Sequence, residues 1–242
     1  FTQTVKKFGV PGQNIVYADV YGNIGWRPAV YVPIRKEGSS LIPRPGQNPK
    51  YDWQGRIPFS EMPFILNPES GYIATANNKT IDDSFPYYIS GLWADPSRAE
   101  RIVERLDRVD KAEMDDMKSI QLDYTSRFAS EIVPYFLAAR SGNETGRLKT
   151  AYEIMGKWDF VESPESAGAL LFHAVLRHLV LNVYGDEMAL LGNHYLEAFT
   201  EMKYLHNRNL RELLVNGTSS WIDDIRTKDK MEKIEEILRR SF

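Results

Sequence analysis

The sequence predicts an α+β chain, a β-rich segment over residues 1–95 followed by a helical domain over residues 96–242. Two observations carry that prediction. Up to about residue 92 the chain is rich in Gly, Pro and aromatic residues, with short alternating apolar runs. After Pro96 these thin out, and apolar residues recur at helical spacing. No internal repeat and no low-complexity linker marks a further division.

Taken in order, Asn14-Ile15-Val16-Tyr17-Ala18-Asp19-Val20 and the run from Trp26 to Val32 predict a hairpin. Its turn, Gly22-Asn23-Ile24-Gly25, needs the permissive backbone of Gly and Asn. Residues 38–68 hold many prolines and predict a long ordered loop pinned by Tyr51 and Trp53. The run Gly71-Tyr72-Ile73-Ala74-Thr75-Ala76 predicts a further strand. Asp95-Pro96 then supplies an N-cap acceptor and the residue suited to a first helical turn, with Ala99, Ile102, Val103 and Leu106 on one face. Asp110 with Glu113 reads as a capping box for the next helix. Helical periodicity continues over residues 127–140, 147–158, 166–183, 187–203, 207–214 and 228–240. The segment 168–183 is apolar around most of its circumference and is expected to be buried on several sides.

Composition narrows the function classes. A chain of 242 residues with 43% hydrophobic and 26% charged residues can bury a sizeable core. A formal net charge of -3, with both signs scattered, offers no field for nucleic acid or an anionic membrane, and neither partner is expected. The absence of cysteine removes disulfides, thiolate metal sites and a cysteine nucleophile. The most apolar stretch, residues 167–183, is interrupted by His173, Arg177 and His178, so no bilayer span is expected. The first residues carry neither an initiating Met nor a signal-peptide pattern, and the last helix reaches Phe242 without a Gly or Asn stop. Both ends therefore read as cut ends.

The informative stretch is residues 14–102. It contains Asn14-Ile15-Val16-Tyr17-Ala18-Asp19, Gly22-Asn23-Ile24-Gly25, Pro43-Arg44-Pro45-Gly46, Trp53-Gln54-Gly55, Ile57-Pro58-Phe59 and Asn67-Pro68. It continues with Gly71-Tyr72-Ile73-Ala74-Thr75-Ala76-Asn77-Asn78 and with Trp93 followed by Arg98-Ala99-Glu100-Arg101-Ile102. Their order and spacing resemble the β-chain of the penicillin acylase (penicillin amidase) family, a branch of the N-terminal-nucleophile hydrolases. The resemblance is dense over about the first 110 residues and looser through the helical half to Trp221-Ile222-Asp223-Asp224.

That resemblance implies strands belonging to a layered αββα sandwich, followed by the helical domain. It implies hydrolysis of a linear amide by an N-terminal Ser whose own α-amine takes up the proton. Asn77, the first of the Asn-Asn pair, matches the residue whose amide holds the oxyanion, beside a backbone N–H. Arg98 matches the Arg five residues after the family Trp, which orients the Asn and the terminal amine. Phe1 is not the nucleophile, so the resemblance implies an internal piece of the β-chain. Its partners are the α-chain and the N-terminal part of the β-chain, its substrate is a small acyl amide, and its location is extracytoplasmic. No cofactor is implied. Some members of the family hold a structural calcium ion, but the interval from Asn77 to Trp93 is one residue short, which puts Tyr87 at the matching aspartate. Asp82 and Asp83 are the substitute carboxylates, or simply solvated acids in a turn.

Plainer readings stand beside these. Asn77 and Asn78 are also turn formers; Arg98 sits on a first helical turn, where the helix dipole favours acids, which argues for a specific partner over a solvated face, with a plain salt bridge as the other reading. Trp26, Tyr51, Trp53 and Trp93 read as loop pins or as a ligand platform. His173, His178, His194 and His206 lack ligand spacing, and neither Ser90 nor Ser97 has a Gly-x-Ser-x-Gly setting. A stand-alone β-rich ligand-binding module and a helical interaction scaffold are the alternatives from other classes.

Overall fold

The computed structural model of the chain describes residues 1–37, 39–227 and 231–242. It divides into two compact units, Phe1–Ala99 and Glu100–Phe242. Gly38, at the head of the expected long loop, and residues 228–230, at the start of the expected last helix, lie outside the described residues.

In the first unit a short helix, α1 (Thr2–Val5), precedes the expected hairpin. Strand β1 (Gln13–Ala18) runs antiparallel to β2 (Ile24–Ala29), from Gln13 opposite Ala29 to Ala18 opposite Ile24. The turn closes on the Asp19 carboxylate, which accepts from the amides of Tyr21 and Asn23 at 2.9 Å each, from Asn23 Nδ2 at 2.8 Å and from the Tyr17 hydroxyl at 3.0 Å. Gly22, with φ +85, takes the left-handed conformation that this closure demands. These donors hold the Asp19 carboxyl below its usual range, with Asn23 the largest cause.

Strands β3 (Pro33–Arg35) and β4 (Trp53–Arg56) form a separate two-stranded sheet with an irregularity at Ile34/Arg35. A two-residue strand, β5 (Ile65–Leu66), completes the order β1-β2-β5. Because β5 lies only beside Gly25 and Trp26, Pro28 stands where β2 has an unpaired side and its missing N–H is tolerated. The stretch expected as one loop therefore contains two strands and two single turns of 3₁₀ helix, Pro49–Tyr51 and Phe59–Glu61. Trp53 is no anchor: it is 67% exposed. Residues 71–76 belong to no strand, since alternation without a neighbouring ladder makes no sheet.

The small apolar core of this unit is Val32, Ile57 and Met62, with Tyr87 and Ile89 against it. Arg27 is buried on β2. Its guanidinium lies 3.9 Å from the ring centre of Phe59 and 5.0 Å from that of Phe64, and it donates to the Phe59 carbonyl.

Helix α2 (Ser97–Leu106) bridges the division in sequence. In the second unit, α3 (Met114–Gln121) starts three residues later than the expected box. Here Asp116 accepts from the Glu113 amide at 2.9 Å, so the reciprocal pair is Glu113 and Asp116 rather than Asp110 and Glu113. Helices α4 (Arg127–Ala138), α5 (Gly146–Lys157) and α6 (Ala167–Leu191) follow, then α7 (Asn193–Thr200), α8 (Lys203–Asn216) and α9 (Ile234–Ser241). Ser126 and Ser166 cap α4 and α6 by accepting from the amides of Ala129 and Ala169. The periodicity over 187–203 is two helices, broken at Gly192, whose φ of +114 no helix accommodates.

One continuous core joins α4, α5, α6, α8 and α9, with Phe136, Phe172, Leu179, Leu210 and Ile237 essentially inaccessible to solvent. Gly168 lets α6 approach Trp158: a Cβ there would fall 2.3 Å from Trp158 Cγ. By length and composition alone helix α6, 25 residues long, is the one described helix apolar enough to cross a membrane, a test that a buried core helix also passes. The interrupting His and Arg residues are too few to lower its hydropathy below that of a span. Half of the relevant window is buried inside the unit.

Candidate functional site

The structure places Asn77 and Arg98 in contact within the first unit. Arg98 Nη2 donates to Asn77 Oδ1 at 2.9 Å and to the Ala76 carbonyl at 2.7 Å. A guanidinium only donates, so the end of the Asn77 amide turned towards it must be the oxygen. The NH₂ end is left pointing away, and Asn77 Nδ2 makes no hydrogen bond among the described residues.

Local backbone chemistry holds this arrangement. Asn77 has φ +61, the left-handed region in which Asn is one of the few tolerated side chains. Its carbonyl accepts from the Ala94 amide at 3.0 Å, tying the strand-like stretch to the segment that leads into α2. Asp95 Oδ1 accepts from the Ser97 amide at 3.0 Å, which starts α2 and places Arg98 on its first turn. Asn78 was not singled out as a functional residue by its sequence, yet its Oδ1 accepts from the Ala76 amide at 3.0 Å. Nothing in the motif signals this, because the bond is to main chain.

The other sequence candidates fall elsewhere. Trp26 is buried, and its Nε1 donates to Asn14 Oδ1 at 3.0 Å; Tyr51 lies under Arg44 and Lys50. His173 meets Glu162 at 3.1 Å; His206 is buried, which pushes its pKa down, and its Nε2 lies 3.3 Å from the Thr200 carbonyl. Tyr87 donates to the Glu61 carboxylate, Asp82 accepts from the Ser84 amide, and Asp83 pairs with Lys79. Among the described residues no group of three or more His, Asp or Glu side chains could hold a metal ion.

In the second unit, Asp123 gathers Arg101 and Arg105, each at 2.7 Å. Burial opposes its ionisation, but the Thr125 hydroxyl and amide and the Arg101 guanidinium outweigh that and hold its carboxyl well below the usual range. Glu187 is the opposite case: burial first, then the neighbouring Asp186 and Asp223, pushes its carboxyl up to about 7. Asp186 Oδ2 accepts from the Ile225 amide at 2.8 Å, which fastens the segment before α9 to α6.

Comparison with known proteins fits this architecture. A solved thermostable penicillin G acylase from Alcaligenes faecalis superposes with a TM-score of 0.69 over 100% of this chain and 47% of its own, at 19% identity, a likeness of fold. The class is thus an α+β chain that shares the fold of that penicillin G acylase. The penicillin amidase family description matches residues 1–242, and the chain belongs to that family. Acyl-homoserine lactone acylase QuiP of Pseudomonas fluorescens is 30% identical over 244 residues, covering 95% of this chain and 29% of the relative. Penicillin acylase 2 proenzyme of a Pseudomonas species is 37% identical over 121 residues, covering 50% of this chain and 16% of the relative. The chain thus spans less than a third of the length of these curated relatives. At family level the chemistry is hydrolysis of acyl amides.

Proposed function

We propose that these 242 residues form part of an acylase that hydrolyses a linear amide, and that they supply the side-chain half of its oxyanion hole. The observation that supports this is the Arg98–Asn77 contact, which fixes the amide with its NH₂ end outward. In this reading a Ser outside these residues attacks the amide carbonyl while its α-amine accepts the hydroxyl proton. Asn77 Nδ2 donates to the oxygen as it becomes anionic, a charge that exists only in the transition state and its intermediate. Collapse of the intermediate, with the α-ammonium passing its proton to the leaving nitrogen, expels the amine and leaves an acyl ester, which water then hydrolyses. Arg98 keeps the Asn77 amide from flipping and presents positive charge near the terminal amine, favouring its free-base form.

Both side chains are exposed in the first unit. The low-dielectric wall that makes such a donor effective therefore comes, in this reading, from the α-chain and the N-terminal part of the β-chain. The substrate classes to test first are those named for the relatives, N-acyl homoserine lactones and penicillins.

The test is Asn77→Ala in the full-length protein. It is expected to lower kcat by about 10²–10³-fold with the fold intact, the cost of removing one oxyanion donor. Turnover at the wild-type rate overturns the assignment. The 242-residue chain alone is expected not to turn over a chromogenic phenylacetyl amide.

A further inference from the structure

We infer that Asn78 is a positioning residue for Asn77: its side chain holds the main-chain turn that aims the Asn77 amide. The inference rests on the oxyanion reading above and extends it to a residue outside the direct contact.

Three hydrogen bonds bracket the peptide units on either side of Asn77. Asn78 Oδ1 accepts from the Ala76 amide at 3.0 Å, Arg98 Nη2 donates to the Ala76 carbonyl at 2.7 Å, and the Ala94 amide donates to the Asn77 carbonyl at 3.0 Å. Asn78 Nδ2 also donates to the Lys79 carbonyl at 3.1 Å, so both ends of its amide are engaged with main chain. Of these contacts, only those of Asn78 arise from a side chain adjacent to the strained position.

The strain makes the bracket necessary. Asn tolerates φ +61 better than other non-glycine side chains, but the conformation is still less favoured than extended backbone and is held by the bonds around it. If the Ala76 amide lost its acceptor, the turn could relax towards extended backbone. The direction of the Asn77 Cα–Cβ bond would swing with it, and Nδ2 would no longer point where an oxyanion forms. A donor must lie within a few tenths of an ångström of its place to act on the transition state, so a small swing is enough. Asn78 touches neither the substrate nor the reacting atoms in this scheme. Its effect is transmitted through the backbone.

The experiment uses the full-length acylase, a chromogenic phenylacetyl amide as substrate, and the variants Asn78→Ala, Asn78→Ser and Asn77→Ala, with Tm measured for each. Asn78→Ala is expected to lower kcat about tenfold, the equivalent of one lost hydrogen bond, with KM changed less than about twofold and Tm nearly constant. Asn78→Ser, which keeps an oxygen acceptor, is expected to recover most of that loss. A kcat for Asn78→Ala within about twofold of wild type, while Asn77→Ala is severely impaired, overturns the inference and leaves the oxyanion reading standing. A fall in Tm with no rescue by Asn78→Ser also overturns it, since a merely structural side chain would behave that way. Wild-type turnover by Asn77→Ala removes the oxyanion reading itself, and the role of Asn78 falls with it.

Discussion

Replacing Glu187 by Gln should stabilise the helical unit, and the size of the effect follows from its surroundings. Glu187 sits near the end of α6 beside Asp186, which is 8% exposed, and close to Asp223. Both Glu187 Oε2 and Asp223 Oδ1 are buried without a hydrogen-bond partner among the described residues. A carboxyl held at about 7 instead of 4.5 loses about 3.4 kcal/mol once fully ionised, at 1.36 kcal/mol per pH unit. Because the side chain is partly open to water, about 2 kcal/mol is the expected gain at pH 8.

The sign is fixed by proton binding. Between about pH 4.5 and 7 the native state holds a proton that the unfolded chain has released, so stability falls as pH rises through that window and levels off above it. Gln carries no ionisable proton, and its Nε2 can donate to Asp186. Urea denaturation of the two proteins at intervals from pH 4 to 8 measures the effect. The curves should coincide near pH 4 and diverge towards pH 8. Parallel curves, or a variant less stable at pH 8, would refute the claim that these three acids repel one another across a poorly solvated space.

Two further perturbations test the same unit. Gly168→Ala should destabilise by about 1–2 kcal/mol, because overpacking against Trp158 exceeds the gain in helix propensity; a higher Tm would show that α6 can move away. Asp123→Asn, which leaves Arg101 and Arg105 without their shared carboxylate, should cost about 2–4 kcal/mol by chemical denaturation. Because the Asp123 carboxyl titrates lower in the folded chain than in the unfolded one, its contribution is complete above about pH 4. It fades as pH falls below that, and the variant should lack that acid-limb slope.

The hairpin and most of the helices were legible because their signals are local. Asp19 and Gly22 close a turn within five residues, and Ser126 and Ser166 cap helices within three. What required the third dimension was illegible. Residues 71–76 alternate like a strand, but alternation cannot say whether a neighbouring ladder exists. Trp53 looked like an anchor because aromatics among prolines often are, and only the exposed β4 shows otherwise. Gly192 divides a run whose apolar spacing continues almost unbroken through it, so periodicity alone predicted one helix. Asn77 and Arg98 came into view through family resemblance, and the structure adds the contact between them. Asn78 was hidden because its partners are main-chain groups, and Glu187 because its shift depends on burial and on Asp223, distant in sequence, as well as on the adjacent Asp186.

The setting of Arg27 has a practical consequence. Most buried cations are neutralised by an acid, and such pairs loosen when the acid is protonated or salt is added. Here the charge rests between the faces of Phe59 and Phe64 and on a backbone carbonyl, with no carboxylate in contact among the described residues. Benzene rings do not titrate, and buried faces are shielded from counterions. The clasp between β2 and the segment carrying both phenylalanines should therefore hold equally in brine and in acid, including the strong acid that protonates Asp123 and frees its arginines.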